Sequence, residues 1–219
     1  MAEPNPEELV DQGKEILDFA VSDGGGTFRG DSLEAKKYYI QAKEYFEKAC
    51  NLNYAKGCVS LGGLYEGKNL VIGEENPRLK ERLKKAIQYY SKACDLKDGE
   101  GCYELGVFYQ GEKDKDLKKA VQYYSKACEL QNSMGCSRLG DMHYIGEGVV
   151  KNKKQAMEKF EKACELGYKQ ACKTVSYQTL CEQGVGETCE IVSLMVRCRL
   201  RGDLKAYGME YDKKKALGF

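Results

Sequence analysis

Eleven cysteines are the residues best able to do chemistry in this chain of 219 residues. Ten of them fall into pairs eight positions apart: Cys50/Cys58, Cys94/Cys102, Cys128/Cys136, Cys164/Cys172 and Cys181/Cys189. A zinc site needs close ligand pairs such as Cys-x2-Cys, and none occurs. Along one continuous helix eight residues span about 12 Å, whereas a disulfide needs Cα atoms roughly 4.4–6.8 Å apart. Each pair therefore demands a turn between its members, for which Asn132, Gly99 and Gly167 are suitable residues. Ten bridged cysteines imply an oxidising compartment. Cys198 is left over, about 13 Å from Cys189 if the two share a helix, so they are not expected to pair. Its plainest reading is a buried or capped thiol; an intermolecular bridge or a reactive thiol is the alternative.

Other reactive groups are sparse. One histidine, His143, stands where related segments carry a core tyrosine, so no set of histidine metal ligands exists. The Glu74/Glu75 pair is ordinary surface charge, and Gly24-Gly25-Gly26 lacks the Lys-Ser/Thr that completes a phosphate loop. Neither a metal nor another cofactor is expected.

The cysteines must be positioned by helices, because apolar residues around them recur with helical spacing. Cys58, Leu61, Gly62 and Tyr65 define one face, repeated as Cys102, Leu105, Gly106, Tyr109 and as Cys136, Leu139, Gly140, His143. It degrades to Cys172, Val175, Ser176. A glycine inside a helix costs roughly 1 kcal/mol against alanine, so its recurrence predicts close backbone approach. A second helix alternates alanines with aromatics: Ala86, Tyr89, Tyr90, Ala93; Ala120, Tyr123, Tyr124, Ala127; Ala156, Phe160, Ala163. Such a period marks a repeat array in which each first cysteine closes one helix and the second opens the next. The first cysteines at 50, 94, 128 and 164 are followed by one at 181, a compressed last step. The expected organisation is a single repeat domain over 1–219. Its units are 7–52 with a loop insert at 22–32, 53–96 with an insert at 68–78, 97–130, 131–166, a truncated 167–183 and a C-terminal cap at 184–219.

Composition excludes some functions. Lys plus Arg number 35 against 34 Asp plus Glu, a net charge of +1, which provides no field to gather nucleic acid. Mean hydropathy is −0.60 and the longest apolar runs are too short to span a bilayer, so no membrane partner is expected. Met1-Ala2-Glu3-Pro4 has the look of an initiator methionine placed before a mature N-terminus, which fits a secreted or periplasmic protein whose signal peptide has been removed.

The LGxxY and KAxxYYxKAC patterns resemble the Sel1-like repeat, a relative of the tetratricopeptide repeat. Cysteines at each junction, as in KACELQNSMGC, resemble the Helicobacter cysteine-rich protein family. That resemblance implies an all-α fold, a right-handed α/α superhelix or solenoid, here disulfide-stapled, in a secreted bacterial protein that meets host tissue and immune cells. It also implies penicillin binding with weak β-lactamase activity, and hence a β-lactam ligand. The residues supply no hydrolytic constellation for it. No Ser-x-x-Lys occurs, and Ser91 and Ser125 are each followed at once by lysine, which points to another helix face.

Function is therefore expected in binding. If Cys, Leu, Gly and Tyr face the core, the next stripe lines a concave groove: Val59, Gly63 and Glu66; Tyr103, Val107 and Gln110; Ser137, Asp141 and Tyr144; Lys173 and Tyr177. Tyrosines among small polar residues suit a protein or peptide ligand, with a host-cell partner in view, held by a monomer. Two tripeptides, Arg29-Gly30-Asp31 and Arg201-Gly202-Asp203, are similar to the adhesion motif read by integrins, which gives an adhesin as a further reading.

Overall fold

A computed structural model describes residues 4–22, 33–67, 77–111, 115–185, 188–201 and 209. Among the described residues all regular structure is helical. The elements are α1 (Pro6–Ser22), α2 (Leu33–Asn51), α3 (Ala55–Glu66), α4 (Pro77–Asp95), α5 (Gly99–Gln110), α6 (Leu117–Glu129), α7 (Ser133–Ile145), α8 (Lys153–Glu165), α9 (Lys169–Glu182) and α10 (Thr188–Arg201). The chain divides into two compact units, 1–105 and 106–219, with the boundary inside α5.

Each turn between repeats is built the same way. The third residue after the first cysteine takes positive φ in every copy: Asn53, Lys97, Gln131, Gly167 and Gly184. The following amide reaches back five residues to a helix carbonyl, as in Tyr54 N to Ala49 O at 3.1 Å and Asn132 N to Ala127 O at 2.9 Å. This left-handed cap ends one helix and reverses the chain at once. Of the three residues expected to make the turns, Gly167 holds this left-handed position, while in the other copies Asn53, Lys97, Gln131 and Gly184 take it. Asn132 instead caps the next helix, its Oδ1 accepting from Gly135 N at 2.8 Å, and Gly99 is the first residue of α5. Asp98, Asp116 and Asn152 cap α5, α6 and α8 by the same bond.

With the reversal so tight, the paired cysteines have Cα atoms 4.4–4.8 Å apart, and all five disulfides are formed. Four join an even-numbered helix to the next odd-numbered one. The fifth, Cys181–Cys189, joins α9 directly to α10, because only one helix lies between the fourth and fifth staples.

In unit 1 the core gathers Leu9 and Val10 from α1, Ala42, Phe46 and Ala49 from α2, and Leu61 and Leu64 from α3. Lys92 of the Ser-Lys-Ala-Cys block on α4 donates to the Cys50 carbonyl at 2.7 Å, satisfying an end of α2 from the neighbouring repeat. Gly62 packs against the Tyr90 ring so closely that an added Cβ would lie 2.6 Å from it. In unit 2 Gly106 stands likewise against Tyr124 and Gly140 against Phe160. Of the pairs Tyr89/Tyr90 and Tyr123/Tyr124 on α4 and α6, the second residue is buried. The first stacks on the odd helix, as Tyr89 on Tyr65 and Tyr123 on Tyr109, both at 5.5 Å.

Candidate functional site

Unit 1 holds a cleft of about 340 Å³. One wall is Lys14 and Leu17 of α1; the opposite wall is Glu100 and Glu104 of α5. Lys56, Val59, Ser60 and Gly63 of α3 run between them, and the rings of Phe46 and Tyr90 form the floor. These residues arrive together because Phe46 and Tyr90 occupy the same repeat position, four residues before the first cysteine, and slot beneath the small residues of adjacent odd helices. The Tyr90 hydroxyl donates to Glu66 Oε2 at 2.8 Å. Burial, and next the carboxylates of Glu66, Glu104 and Glu100, hold the Tyr90 hydroxyl protonated far above the usual tyrosine range. One side of the cleft is thus acidic and the other basic, over an aromatic floor.

In unit 2 the corresponding face is covered. α10 packs on α9 and crosses onto α7, burying Ile191, Val192, Leu194, Met195 and Val196. Arg199 anchors it. Its Nη2 donates to Asp141 Oδ1 at 2.6 Å and its Nε to the same carboxylate at 3.2 Å. Nη1 donates to Thr174 Oγ1 at 2.9 Å, and the guanidinium lies 5.3 Å from the centroid of the Phe160 ring. Arg138 donates to the Arg199 carbonyl, and Gln110 Nε2 to the Leu200 carbonyl at 3.4 Å. Burial raises the Asp141 carboxyl, and the charge and hydrogen bonds of Arg199 oppose it.

The stripe expected to line an open groove therefore has two fates. Val59 and Gly63 line the cleft of unit 1, with Tyr103 half-buried on α5. In unit 2, Ser137 and Asp141 are 2% and 0% exposed, and Tyr144 is buried with Lys153 over its ring. An open stripe there gives way to an interface because the compressed last repeat lays α10 across it. Gln110 accepts from the Tyr124 hydroxyl at 2.7 Å, while Val107 and Tyr177 are half-buried and Lys173 is exposed. Lys14, Glu100 and Glu104 escaped the sequence reading, which placed Tyr90 only on the packing face of its helix, although Glu104 and Ser60 share a signal, two residues after the second cysteine. Nothing in the repeat marked Arg199. Cys198 is half-buried on α10 and outside the five disulfides.

Arg29-Gly30-Asp31 and Gly202-Asp203 lie outside the described residues, as do Glu74/Glu75, Gly24-Gly25-Gly26 and residues 68–76 of the insert expected at 68–78; Arg201 ends α10. His143 is half-buried, and its buried Nδ1 has no hydrogen-bond partner among the described residues. Among the described residues no three His, Cys, Asp or Glu side chains are placed to hold a metal ion, and no helix is long and apolar enough to cross a membrane.

Known proteins share this architecture. The Sel1 repeat matches residues 81–98, 99–132 and 133–168, and the tetratricopeptide repeat matches 27–56. Helicobacter pylori cysteine rich protein B is similar at 46% identity and a TM-score of 0.50, over 66% of this chain and 98% of that one. The chain belongs to the Helicobacter cysteine-rich family of Sel1-like repeat proteins. Another family relative, named Beta-lactamase HcpA, from Helicobacter pylori (strain J99 / ATCC 700824), is 37% identical over 87 residues. That match covers 40% of this chain, and spans a quarter (25%) of the relative's length. The Sel1-like fold of c5321, a protective antigen of uropathogenic Escherichia coli strains, aligns at 22% identity and a TM-score of 0.57 over 91% of this chain and 41% of that one, a likeness of fold. The five disulfides place this chain outside the reducing cytoplasm.

Proposed function

We propose that this protein is an exported binding module that holds a protein or peptide segment in the cleft of unit 1, in a host-facing role. The observation that carries the reading is the cleft itself. Its aromatic floor, aliphatic Leu17 and Val59, and oppositely charged walls offer contact area and orientation without a reacting group. Sel1 repeats serve as interaction scaffolds, which supports the same class. The test is panning of a random peptide display library on the immobilised, oxidised protein. Selected peptides are expected to lose binding at least tenfold to the Val59→Glu variant. Selected peptides that bind this variant as well as the parent would remove the cleft from the proposal.

A second reading, β-lactam binding or hydrolysis, is favoured by the name of the relative HcpA. Purified oxidised protein incubated with nitrocefin tests it directly: turnover that rises in proportion to protein concentration supports hydrolysis, and none counts against it.

A further inference from the structure

Unit 2 holds a helix of its own on its odd-helix face, and the grip on that helix has a counterpart in unit 1. Arg199 enters between α7 and α9. It meets Asp141, five residues after Cys136, and Thr174, two residues after Cys172, above Phe160 of α8. In unit 1 the same repeat offsets name Gly63 on α3, Glu104 on α5 and Tyr90 on α4, and all three line the cleft. The ring is kept and the carboxylate has changed walls. Gly63 leaves open the space that the Asp141 side chain takes in unit 2, while Glu104 brings a carboxylate to the place of Thr174. One position along, between α1 and α3, the counterparts are Lys14, Ser60 and Phe46. A lysine there repels a guanidinium, so the cleft has one such position rather than two.

We propose that the cleft of unit 1 takes an amphipathic helical segment of a partner protein, with a single arginine seated over Tyr90 against Glu104. The proposal rests on the binding reading given above and names the chemistry of the partner. α10 is the internal example of such a ligand, an arginine on a helix whose apolar residues Ile191, Val192, Met195 and Val196 are buried. A guanidinium suits the place because it stacks on an aromatic face while its planar fork bonds a carboxylate. The acidic surroundings of the Tyr90 hydroxyl point the same way.

The probe is a synthetic peptide of residues 188–201 carrying Cys189→Ser, Cys198→Ser, Arg197→Gln and Arg201→Gln, so that one arginine remains. It is titrated calorimetrically into the full oxidised protein. One-to-one binding is expected, weakened tenfold or more by Arg199→Gln in the peptide and equally by Glu104→Gln in the protein. The two changes together should weaken binding no further than either alone. Glu104→Asp, which keeps the charge, should hold affinity within threefold and shows that the site still folds. Binding lost in Val59→Glu yet unmoved by Glu104→Gln overturns the arginine position while leaving the cleft standing. Absence of binding, indifference to both variants, or binding removed by Asp141→Asn instead (the peptide then having displaced α10) also overturns it.

Discussion

Asn53, Lys97 and Gln131 occupy the left-handed position of their turns, where Gly167 and Gly184 serve in the later copies. A side chain in that conformation costs about 1–2 kcal/mol, because Cβ crowds the following carbonyl, with asparagine the best tolerated. Gln131→Gly is therefore expected to stabilise the protein by roughly 0.5–1 kcal/mol, the extra freedom of unfolded glycine offsetting part of the relief; urea unfolding with disulfides intact measures it. His143 gives a second residue-scale expectation. It stands where Tyr65 and Tyr109 stack on tyrosines, but its counterpart on α8 is Lys159. Burial, then the Lys159 charge, lower its pKa from the ordinary 6.5, against a backbone hydrogen bond with Val150. A depressed histidine stays neutral when folded and gains its proton more readily when unfolded. Its contribution is thus fully present above the unfolded value and is lost as pH falls through the lowered folded one. His143→Phe should flatten that part of the profile, read as urea midpoints between about pH 7.5 and pH 5.

α10 is the element whose placement departs from the repeat. Four staples hand an even helix to an odd one, but the fifth hands odd α9 to α10 after a single helix, and α10 then lies across α7. Its apolar side supplies area, and Arg199 supplies the fit, since it satisfies a fully buried carboxylate. Breaking a buried pair from one side strands the other charge, at a cost of about 3–5 kcal/mol. Arg199→Met is therefore expected to lower stability by that amount in urea denaturation followed by helicity. Adding Asp141→Leu should restore most of it, because two apolar groups need no partner. If the double variant were as unstable as the single one, the ion pair would not be what anchors α10.

At the scale of the whole molecule, five short covalent loops each remove part of the cost of ordering the chain. Closing a loop of this length restricts the unfolded state by roughly 2–3 kcal/mol by chain entropy. Replacing Cys128 and Cys136 together by alanine is expected to cost about that much, and full reduction to lower the thermal midpoint far more; calorimetry with and without a thiol-free reductant reads both. The five pairs, the helical hairpins and their order were legible in the sequence, because they depend on local spacing: eight residues between cysteines, and period-3.6 faces that must be buried. Even the cleft showed in part, through Val59 and Gly63. The burial of the stripe at Ser137, Asp141 and Tyr144 was not legible, because the helix that meets it at Asp141 lies far along the chain. The partner of Asp141 lies 58 residues away and breaks no periodic rule. Repetition along the chain determined what each unit is; which faces stay open was decided only where a non-repeating helix came to rest, a long-range contact that no local pattern encodes.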